Sequence, residues 1–187
     1  MFKNHLQAHL DLFSKIDKLE PEVSEFVESA QSTLESGGKL IFAGNGGSAG
    51  DAQHIATEFT VKFRNKRPAL PAISLATDTS ALTAIGNDFG FDQIFSRQLE
   101  AIGKEGDLIV LISTSGQSKN LIECARVAKS IKVVTFGLLG CDGGKLKNLC
   151  DHSIVMPETD TARIQEAHIF ILHYLISSVE GHLFNEG

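Results

Sequence analysis

The hydrophobic pattern of the chain changes its period near residue 37. Before that point apolar residues recur at helical spacing, which predicts two amphipathic helices over residues 2–17 and 21–36. Pro21 suits the first turn of the second helix, and a Gly-Gly pair ends it. One face of the first helix collects the apolar side chains Phe2, Leu6, Leu10, Phe13 and Ile16.

After residue 37 short apolar runs alternate with helical segments. The runs predict buried strands at Lys39–Ala43, Pro71–Leu75, Leu108–Ile112, Val133–Phe136 and His152–Val155. The helical segments lie near residues 48–62, 79–86, 92–102, 118–129, 143–149 and 161–184. This alternation predicts an α/β fold, a three-layer αβα sandwich with a five-stranded parallel sheet and extra N-terminal helices. Such sheets bind their ligands beyond the carboxyl ends of the strands.

The composition is that of an ordinary globular domain. The chain has 187 residues, of which 42% are hydrophobic and 21% charged. We therefore expect a single domain over residues 1–187, in which the helices of residues 1–36 pack on an α/β core of residues 37–187. The net charge of −6 argues against nucleic acid or an anionic membrane as a partner.

The chain is also expected to be cytoplasmic. No apolar stretch approaches the ~18 residues of a membrane span. The N-terminus mixes charged and apolar residues at helical spacing, unlike a signal peptide. The three cysteines have no metal-type spacing, so we expect reduced and partly buried thiols.

A glycine-rich loop, Gly44-Asn45-Gly46-Gly47-Ser48, lies between the first predicted strand and the helix after it. Glycines let the backbone approach a ligand closely, and a helix start offers unpaired N–H groups to an anion. A dinucleotide site is an alternative, because Gly44, Gly46 and Ala49 match GxGxxA. The acidic residue expected about 20 positions later is missing, since residues 64–68 contain no Asp or Glu.

A second loop, residues 113–118, follows the third predicted strand and is rich in hydroxyl groups. Its hydroxyl side chains belong to Ser113, Thr114, Ser115 and Ser118. A helix cap and a turn would use only one or two of them, so the loop favours phosphate binding. It is not a Walker loop, because no Gly-Lys-Ser/Thr sequence follows.

Candidate acid–base groups lie on two of the predicted helices. His54 and Glu58 are four residues apart after the glycine loop and share a helix face, although such pairs are common on protein surfaces. Gln165 and His173 lie on the last helix. A histidine on an apolar helix is, taken alone, more often a core residue than a ligand.

Three further features are interpreted as structural. His168 is expected to pack in the core rather than to support a ligand. The basic side chains of Arg64, Lys66 and Arg67 are expected to form a solvated cluster at a helix end. The Asp142-Gly143-Gly144 segment predicts a turn that leads into a helix.

Four segments together resemble the phosphoheptose isomerases of the sugar isomerase (SIS) fold. They are GNGGSAGDAQHIATE, AIGNDFGF, STSGQS and ARIQEAHIFILH, and the resemblance covers nearly the whole chain. It implies isomerisation of sedoheptulose 7-phosphate to D-glycero-D-manno-heptose 7-phosphate, for the heptose of lipopolysaccharide or capsule. It also implies a homotetramer with active sites between subunits and, as in many members, bound zinc.

The resemblance also implies roles for individual residues. The zinc ligands would be His54, Glu58, Gln165 and His173, and the phosphate would be held by Ser113, Thr114, Ser115 and Ser118. The sugar would contact Asn45, Gly46, Gly47, Ser48, Asn87 and Asp88, together with Glu58 and Gln165. Some members have Asp directly before RIQE, where this chain has Ala162 and where Asp160 lies two residues earlier.

The implied reaction moves a carbonyl from C2 to C1, which indicates a cis-enediol route. We assign Glu58 as the base and His173 as the acid, with zinc polarising the oxygens. A zinc-bound carboxylate is a weaker base and a zinc-bound nitrogen cannot readily donate a proton, so the metal is labile or the roles are reversed. Gln165 and His173 are separated by about 12 Å of helix rise and about 80°. One metal joins them only if both side chains lean together, or if they serve sites on different subunits.

Two other functions stay open at this stage. A related SIS tetramer is not an enzyme and binds the bacterial replication initiator protein, but it lacks the counterparts of Glu58 and His173. The second alternative is an isomerase of another sugar phosphate, because hydroxyl loops recognise a phosphate better than a chain length. A direct isomerase assay distinguishes the enzyme from the non-catalytic tetramer.

Overall fold

The computed structural model describes residues 1–184. Its helices are α1 (Phe2–Phe13), α2 (Glu20–Glu35), α3 (Gly47–Thr60), α4 (Thr79–Asp88), α5 (Ser96–Ile102), α6 (Lys119–Ser130) and α7 (Thr161–Phe184). Its strands are β1 (Leu40–Gly44), β2 (Ala72–Ser74), β3 (Leu108–Ser113), β4 (Val134–Leu139) and β5 (His152–Val155). Short 3₁₀ turns lie at Ile16–Leu19, Phe91–Gln93 and Leu146–Asn148.

The strands form one parallel sheet in the order β2-β1-β3-β4-β5. Every residue of β1 and β3 is buried, because helices cover both faces of the sheet. This explains why these strands are unbroken apolar runs in the sequence. The predicted α/β class and five-stranded parallel sheet are confirmed.

Two hydrophobic clusters lie on opposite faces of the sheet. Alternate β1 side chains point to opposite faces, so Phe42 joins one cluster and Ile41 the other. The first cluster contains residues of α2, α3 and α7, including Phe26 and Phe59. The second contains residues of α5 and α6. The helices α3 and α6 therefore pack on opposite faces, although they follow neighbouring strands.

Some predicted helices were too long. The first ends at Phe13 and is followed by a 3₁₀ turn, and the predicted helix 92–102 is α-helical only from Ser96. The predicted helix 143–149 is wrong, because Gly143 and Gly144 have φ values of 82° and 52° that an α-helix cannot contain. The predicted turn is confirmed there, since the Gly144 N–H donates to Asp142 Oδ1 at 2.9 Å.

The apolar face of α1 lies largely on the surface. Phe2 is 78% exposed and Leu10 is 51% exposed, whereas Leu12 on the other face is buried. Phe13 and Ile16 pack toward the core near α7. Among residues 1–184, no helix is both long and apolar enough to cross a bilayer.

Candidate active site

The two loops singled out in the sequence lie side by side at one edge of the sheet. Their strands, β1 and β3, are neighbours and pair from Leu40↔Leu108 to Gly44↔Ile112. The chain passes from β1 to β2 on one side and then returns to β3 on the other. Strand order therefore reverses between β1 and β3, which is where open α/β sheets bind ligands.

A pair of amide side chains joins the two loops. Asn45 Nδ2 donates to Asn120 Oδ1 at 3.0 Å, and Asn120 Nδ2 donates to Asn45 Oδ1 at 2.8 Å. Asn120 lies in the first turn of α6 and is 2% exposed, so it fixes the amide of Asn45. The sequence analysis missed Asn120, because an asparagine just inside a helix has no distinctive spacing.

The hydroxyl groups of the serine loop are used in different ways. Ser113 Oγ accepts from the Gly116 N–H at 3.0 Å, and Ser115 Oγ accepts from the Gln117 N–H at 3.3 Å. These bonds shape the loop. Ser118 occupies the N-cap of α6, but its side chain makes no capping hydrogen bond within the described chain. Its hydroxyl and the first N–H groups of α6 can therefore bind an anion.

The Asp142–Gly144 turn supports the serine loop. Gly116 has a φ of 63°, and a Cβ atom there would overlap the carbonyl of Gly143. The Gly116 carbonyl also accepts from the Leu146 N–H at 3.1 Å. Glycine is therefore required in this loop both by backbone conformation and by the close approach of the turn.

Three candidate acid–base residues meet between α3 and α7. His54 Nε2 lies 3.3 Å from Glu58 Oε1 and 3.5 Å from His173 Nε2. The two imidazole rings are 5.1 Å apart and edge to face. Burial lowers the pKa of His173, the electrostatic interactions with His54 and Arg64 lower it further, and Glu58 opposes them. His173 is therefore expected to be mostly neutral at pH 7.

Gln165 lies at the glycine loop rather than beside His173. A Cβ atom added to Gly47 would lie 2.5 Å from Gln165 Nε2, so the carboxamide packs directly on Gly47. The structure thus gives Gln165 and His173 different neighbours along α7. Gln165 contacts the predicted sugar-binding loop, and His173 contacts His54.

Replacing Gly47 with alanine should displace Gln165 with little loss of stability. The side chain of Gln165 can rotate away, so we expect the unfolding free energy to change by less than about 1 kcal/mol. If Gln165 contacts the sugar, KM should rise about two- to tenfold through its lost hydrogen bond. Gly50→Ala is the matched control, because an added Cβ there has nothing within 4 Å. Equal kinetics for both variants would contradict a substrate contact by Gln165.

The remaining predicted sugar contacts lie at helix ends. Asn87 and Asp88 are exposed at the end of α4, where Asn87 Nδ2 donates to Asp88 Oδ1 at 2.7 Å. Ala162 is exposed in the first turn of α7, and its N–H donates to Asp160 Oδ1 at 2.8 Å. Asp160 therefore caps α7.

The basic cluster after α3 differs from the prediction. Arg64 and Lys66 are exposed, but the Arg67 side chain is only 1% exposed. It forms an ion pair with Glu180 of α7, whose side chain is 2% exposed, with Nε and Oε1 2.7 Å apart. The prediction of a solvated cluster is wrong for Arg67, because its acidic partner lies far away in the sequence.

The prediction for His168 is confirmed, and the prediction of partly buried thiols holds for Cys124 and Cys150 but is wrong for the exposed Cys141. His168 is fully buried, and burial lowers its pKa to about 4, so it is neutral and its Nε2–H donates to the Leu139 carbonyl at 3.0 Å. The cysteines are unpaired: Cys124 is buried, Cys150 is half-buried and Cys141 is exposed. Burial raises the pKa of the Cys150 thiol to about 12, so it is protonated at neutral pH.

Comparison with known proteins gives the family of the chain. The SIS domain family matches residues 4–140. The phosphoheptose isomerase of Trichlorobacter lovleyi is 50% identical, over 96% of this chain and 92% of that protein. The chain belongs to the phosphoheptose isomerase family of SIS-domain proteins.

Two further members of the phosphoheptose isomerase family agree with this assignment. The phosphoheptose isomerase of Campylobacter concisus is 49% identical, over 96% of this chain and 95% of that protein. The phosphoheptose isomerase structure from Neisseria gonorrhoeae is 40% identical, with a TM-score of 0.91 over 96% of this chain and 97% of that chain. The resemblance found in the sequence is confirmed, and so is the SIS fold.

The distances at His54 can be compared with those of zinc, the metal that the resemblance implies for this chain. Tetrahedral zinc with ligands at about 2.0–2.2 Å separates two ligand atoms by about 3.3–3.6 Å. The distances from His54 Nε2 to Glu58 and to His173 are 3.3 Å and 3.5 Å. No three His, Cys, Asp or Glu side chains of residues 1–184 form a complete metal-binding group. Each pair has the spacing of two zinc ligands, but as they stand residues 1–184 do not bring three such donors together.

Proposed function

We propose that this protein is an aldose–ketose isomerase that converts sedoheptulose 7-phosphate to D-glycero-D-manno-heptose 7-phosphate, for heptose biosynthesis. The observation that carries the proposal is the combination of two sites in one chain. A hydroxyl-rich loop stands at a helix N-terminus at the switch point, and Glu58, His54 and His173 cluster between α3 and α7. Membership of the phosphoheptose isomerase family supports the choice of substrate.

In this proposal the phosphate is bound without a lysine. Ser118 and the free N–H groups at the start of α6 donate hydrogen bonds to it, together with Thr114. Ser113 and Ser115 shape the loop and add their own hydroxyl groups. The positive end of the helix dipole favours the dianion locally, although the net charge of the chain is −6.

The sugar chain would lie along the glycine loop. Asn45, Gly46, Gly47 and Ser48 border the carboxyl end of β1, and Gln165 packs on Gly47. Asn120 holds the Asn45 amide by two hydrogen bonds, which orients its remaining N–H and oxygen lone pairs toward a ligand. We extend the sugar contacts to Asn87 and Asp88 by the resemblance alone.

Glu58 and His173 would move the protons. Glu58 takes a proton from C1, and His173, as the acid, donates a proton to the C2 oxygen. These two transfers form the cis-enediol. Return of a proton to C2 and loss of the proton from the C1 hydroxyl complete the aldose. His173 begins with a lowered pKa, which favours a neutral imidazole that can accept a proton as well as donate one.

We include zinc in the proposal as an ion that the same cluster would bind. His54, Glu58 and His173 would hold it, with Gln165 as the fourth ligand implied by the resemblance. When bound, it supplies a Lewis acid that polarises substrate oxygens. A carboxylate that ligates a metal ion is a weaker base, so zinc held at this cluster would lower the basicity of Glu58.

We also propose a homotetramer with intersubunit active sites in the cytoplasm. The exposed apolar residues Phe2, Leu6 and Leu10 give α1 a face suited to packing between subunits. Phe170 and Tyr174 of α7 are about half exposed and enlarge the apolar surface. The unpaired cysteines suit a reducing compartment.

A direct assay tests the function. Purified protein is incubated with sedoheptulose 7-phosphate, and the aldose 7-phosphate is measured. Ribulose 5-phosphate and fructose 6-phosphate serve as comparison substrates for a different chain length. Turnover of the heptose alone supports the proposal. Absence of turnover, with or without added zinc, would favour the non-catalytic alternative.

Replacing Ser118 with alanine should weaken phosphate binding. Loss of a hydrogen bond to a charged group removes about 1.5–3 kcal/mol, so we expect KM to rise by about 10- to 100-fold. The effect on kcat should be smaller, because the phosphate is remote from C1. Ser130→Ala is the control at the other end of α6, where the hydroxyl donates to the Val127 carbonyl. Equal KM values in the two variants would exclude Ser118 from phosphate binding.

A further inference from the structure

The short segment 61–67, between α3 and β2, is held by a buried carboxylate. Glu180 Oε1 accepts from the Phe63 N–H at 3.0 Å, and Glu180 Oε2 accepts from the N–H groups of Arg64 and Asn65 at 3.2 Å and 3.4 Å. Three successive backbone donors thus converge on one side chain of α7. The path of this segment is fixed, although most of its side chains are exposed.

Arg67 completes the anchor from the other side. Its Nε donates to Glu180 Oε1 at 2.7 Å, and its terminal nitrogens donate to the carbonyls of Glu58 at 2.7 Å and Phe59 at 2.9 Å. The Glu180–Arg67 pair therefore ties together the end of α3, segment 61–67 and α7. It also binds the backbone of Glu58, the candidate base.

The anchored segment places an aromatic ring on a candidate site residue. Phe63 stacks on His173 with ring centroids 5.5 Å apart and an angle of 14° between the planes. The guanidinium of Arg64 lies 5.3 Å from the Phe63 centroid. His173 and Glu180 are seven residues apart, about two helical turns, so one face of α7 carries both the stacked imidazole and the anchor.

We propose that Phe63 is a positioning residue, which holds the His173 imidazole with Nε2 directed at His54, and that the Glu180–Arg67 pair keeps Phe63 in place. The purpose assigned to this contact rests on the proposed function. The terminal torsion of a histidine is broad and roughly two-fold, so the ring needs a partner to select one orientation. Its 3.5 Å contact with His54 is too long to do so alone. A nearly parallel ring against one face excludes the rotated orientations.

The test replaces Phe63 with leucine, which keeps an apolar side chain but removes the ring. Phe63→Tyr is the conservative variant that restores stacking. Phe26→Leu is the control, because it also removes a stacked ring, but that ring packs on Phe136 in the core, with centroids 4.2 Å apart. The His173 ring signals are assigned by NMR from their loss in His173→Gln. Zinc affinity is measured by competition with a chelator. The values of kcat and KM are measured with sedoheptulose 7-phosphate as substrate.

In Phe63→Leu the ring-current shift of the His173 signals should disappear. Zinc affinity and kcat should each fall by about 10-fold or more, as for residues that orient metal ligands, while KM changes less. Phe63→Tyr and Phe26→Leu should keep wild-type zinc affinity and kcat. A merely structural role would lower the thermal midpoint of Phe63→Leu and leave zinc affinity and kcat within about twofold, and that result would overturn the proposal.

The NMR measurement separates this proposal from the proposed function. A wild-type protein that neither isomerises the heptose nor binds zinc would refute the function assigned above. The His173 spectrum would still test the contact. Loss of the nuclear Overhauser contact between the His54 and His173 rings in Phe63→Leu would support the positioning role, and its retention would show that Phe63 does not orient His173.

Discussion

Replacing Glu58 with glutamine is expected to lower kcat by about 10²- to 10⁴-fold, the usual contribution of a positioned general base. Glutamine keeps the size of the side chain and its place on α3 but cannot accept a proton at neutral pH. KM should change little, since the phosphate is bound by the serine loop. Initial rates with sedoheptulose 7-phosphate at fixed zinc concentration measure the effect.

Two further variants sharpen the Glu58 experiment. Glu105→Gln is the control, because Glu105 forms an exposed ion pair with Lys132 and such pairs contribute little to stability. His173→Gln should also lower kcat, because it removes the acid and one of the pairs at His54. Near-normal turnover in Glu58→Gln would refute its role as the base. A loss of rate in Glu58→Gln that excess zinc restores would instead make Glu58 only a metal ligand.

The sheet was predictable because its strands are buried on both faces. Unbroken apolar runs such as Leu108–Ile112 are typical of parallel strands that helices cover on both faces. The two N-terminal helices could also be predicted, because their apolar residues recur at helical spacing. The helix predicted at 143–149 failed because helical spacing does not reveal the positive φ values of Gly143 and Gly144. Their conformation follows from packing on Gly116, which is distant in sequence.

The candidate site could be predicted only where several polar groups and a helix start lie within one short segment of sequence. The glycine and serine loops each combine a strand end, a helix start and several polar groups, so local sequence reveals them. The Asn45–Asn120 pair joins residues from two different loops, and neither asparagine is unusual where it stands. The family resemblance predicted that His54 and His173 belong to one site. The contact of Phe63 with His173 could be found only from the folded structure.

The burial of Arg67 also could not be predicted from the local sequence. Within residues 64–67 it resembles its basic neighbours, and solvation is the ordinary fate of such a cluster. Burial of Arg67 is favourable only because Glu180 supplies a carboxylate and backbone carbonyls accept its other N–H groups. That partner is on α7, at the far end of the chain. Only the packing of α7 against α3 distinguishes Arg67 from Arg64.

Arg67→Met should therefore destabilise the protein by about 3–5 kcal/mol, since it leaves the Glu180 carboxylate buried without its counter-charge. Urea unfolding at pH 7 and one protein concentration measures the loss. Arg97→Met is the control, because Arg97 pairs with Glu100 on the surface and should contribute less than about 1 kcal/mol. A similar small loss in both variants would show that Arg67 is not a structural anchor.

The pH dependence of this loss provides an independent check. Burial by itself would raise the pKa of Glu180, but the Phe63 N–H, the Arg67 guanidinium and the N–H groups of Arg64 and Asn65 hold it below its usual value. A carboxyl group with a lowered folded-state pKa stabilises the fold above its unfolded pKa of about 4.3 and loses that contribution as the pH falls through the folded-state value. The difference between wild type and Arg67→Met should therefore shrink as the pH falls below the unfolded pKa and through the lowered folded-state pKa of Glu180, where the carboxyl becomes protonated. A difference that stays constant from pH 7 to the acid limit would mean that Arg67 stabilises the protein by packing rather than by its charge.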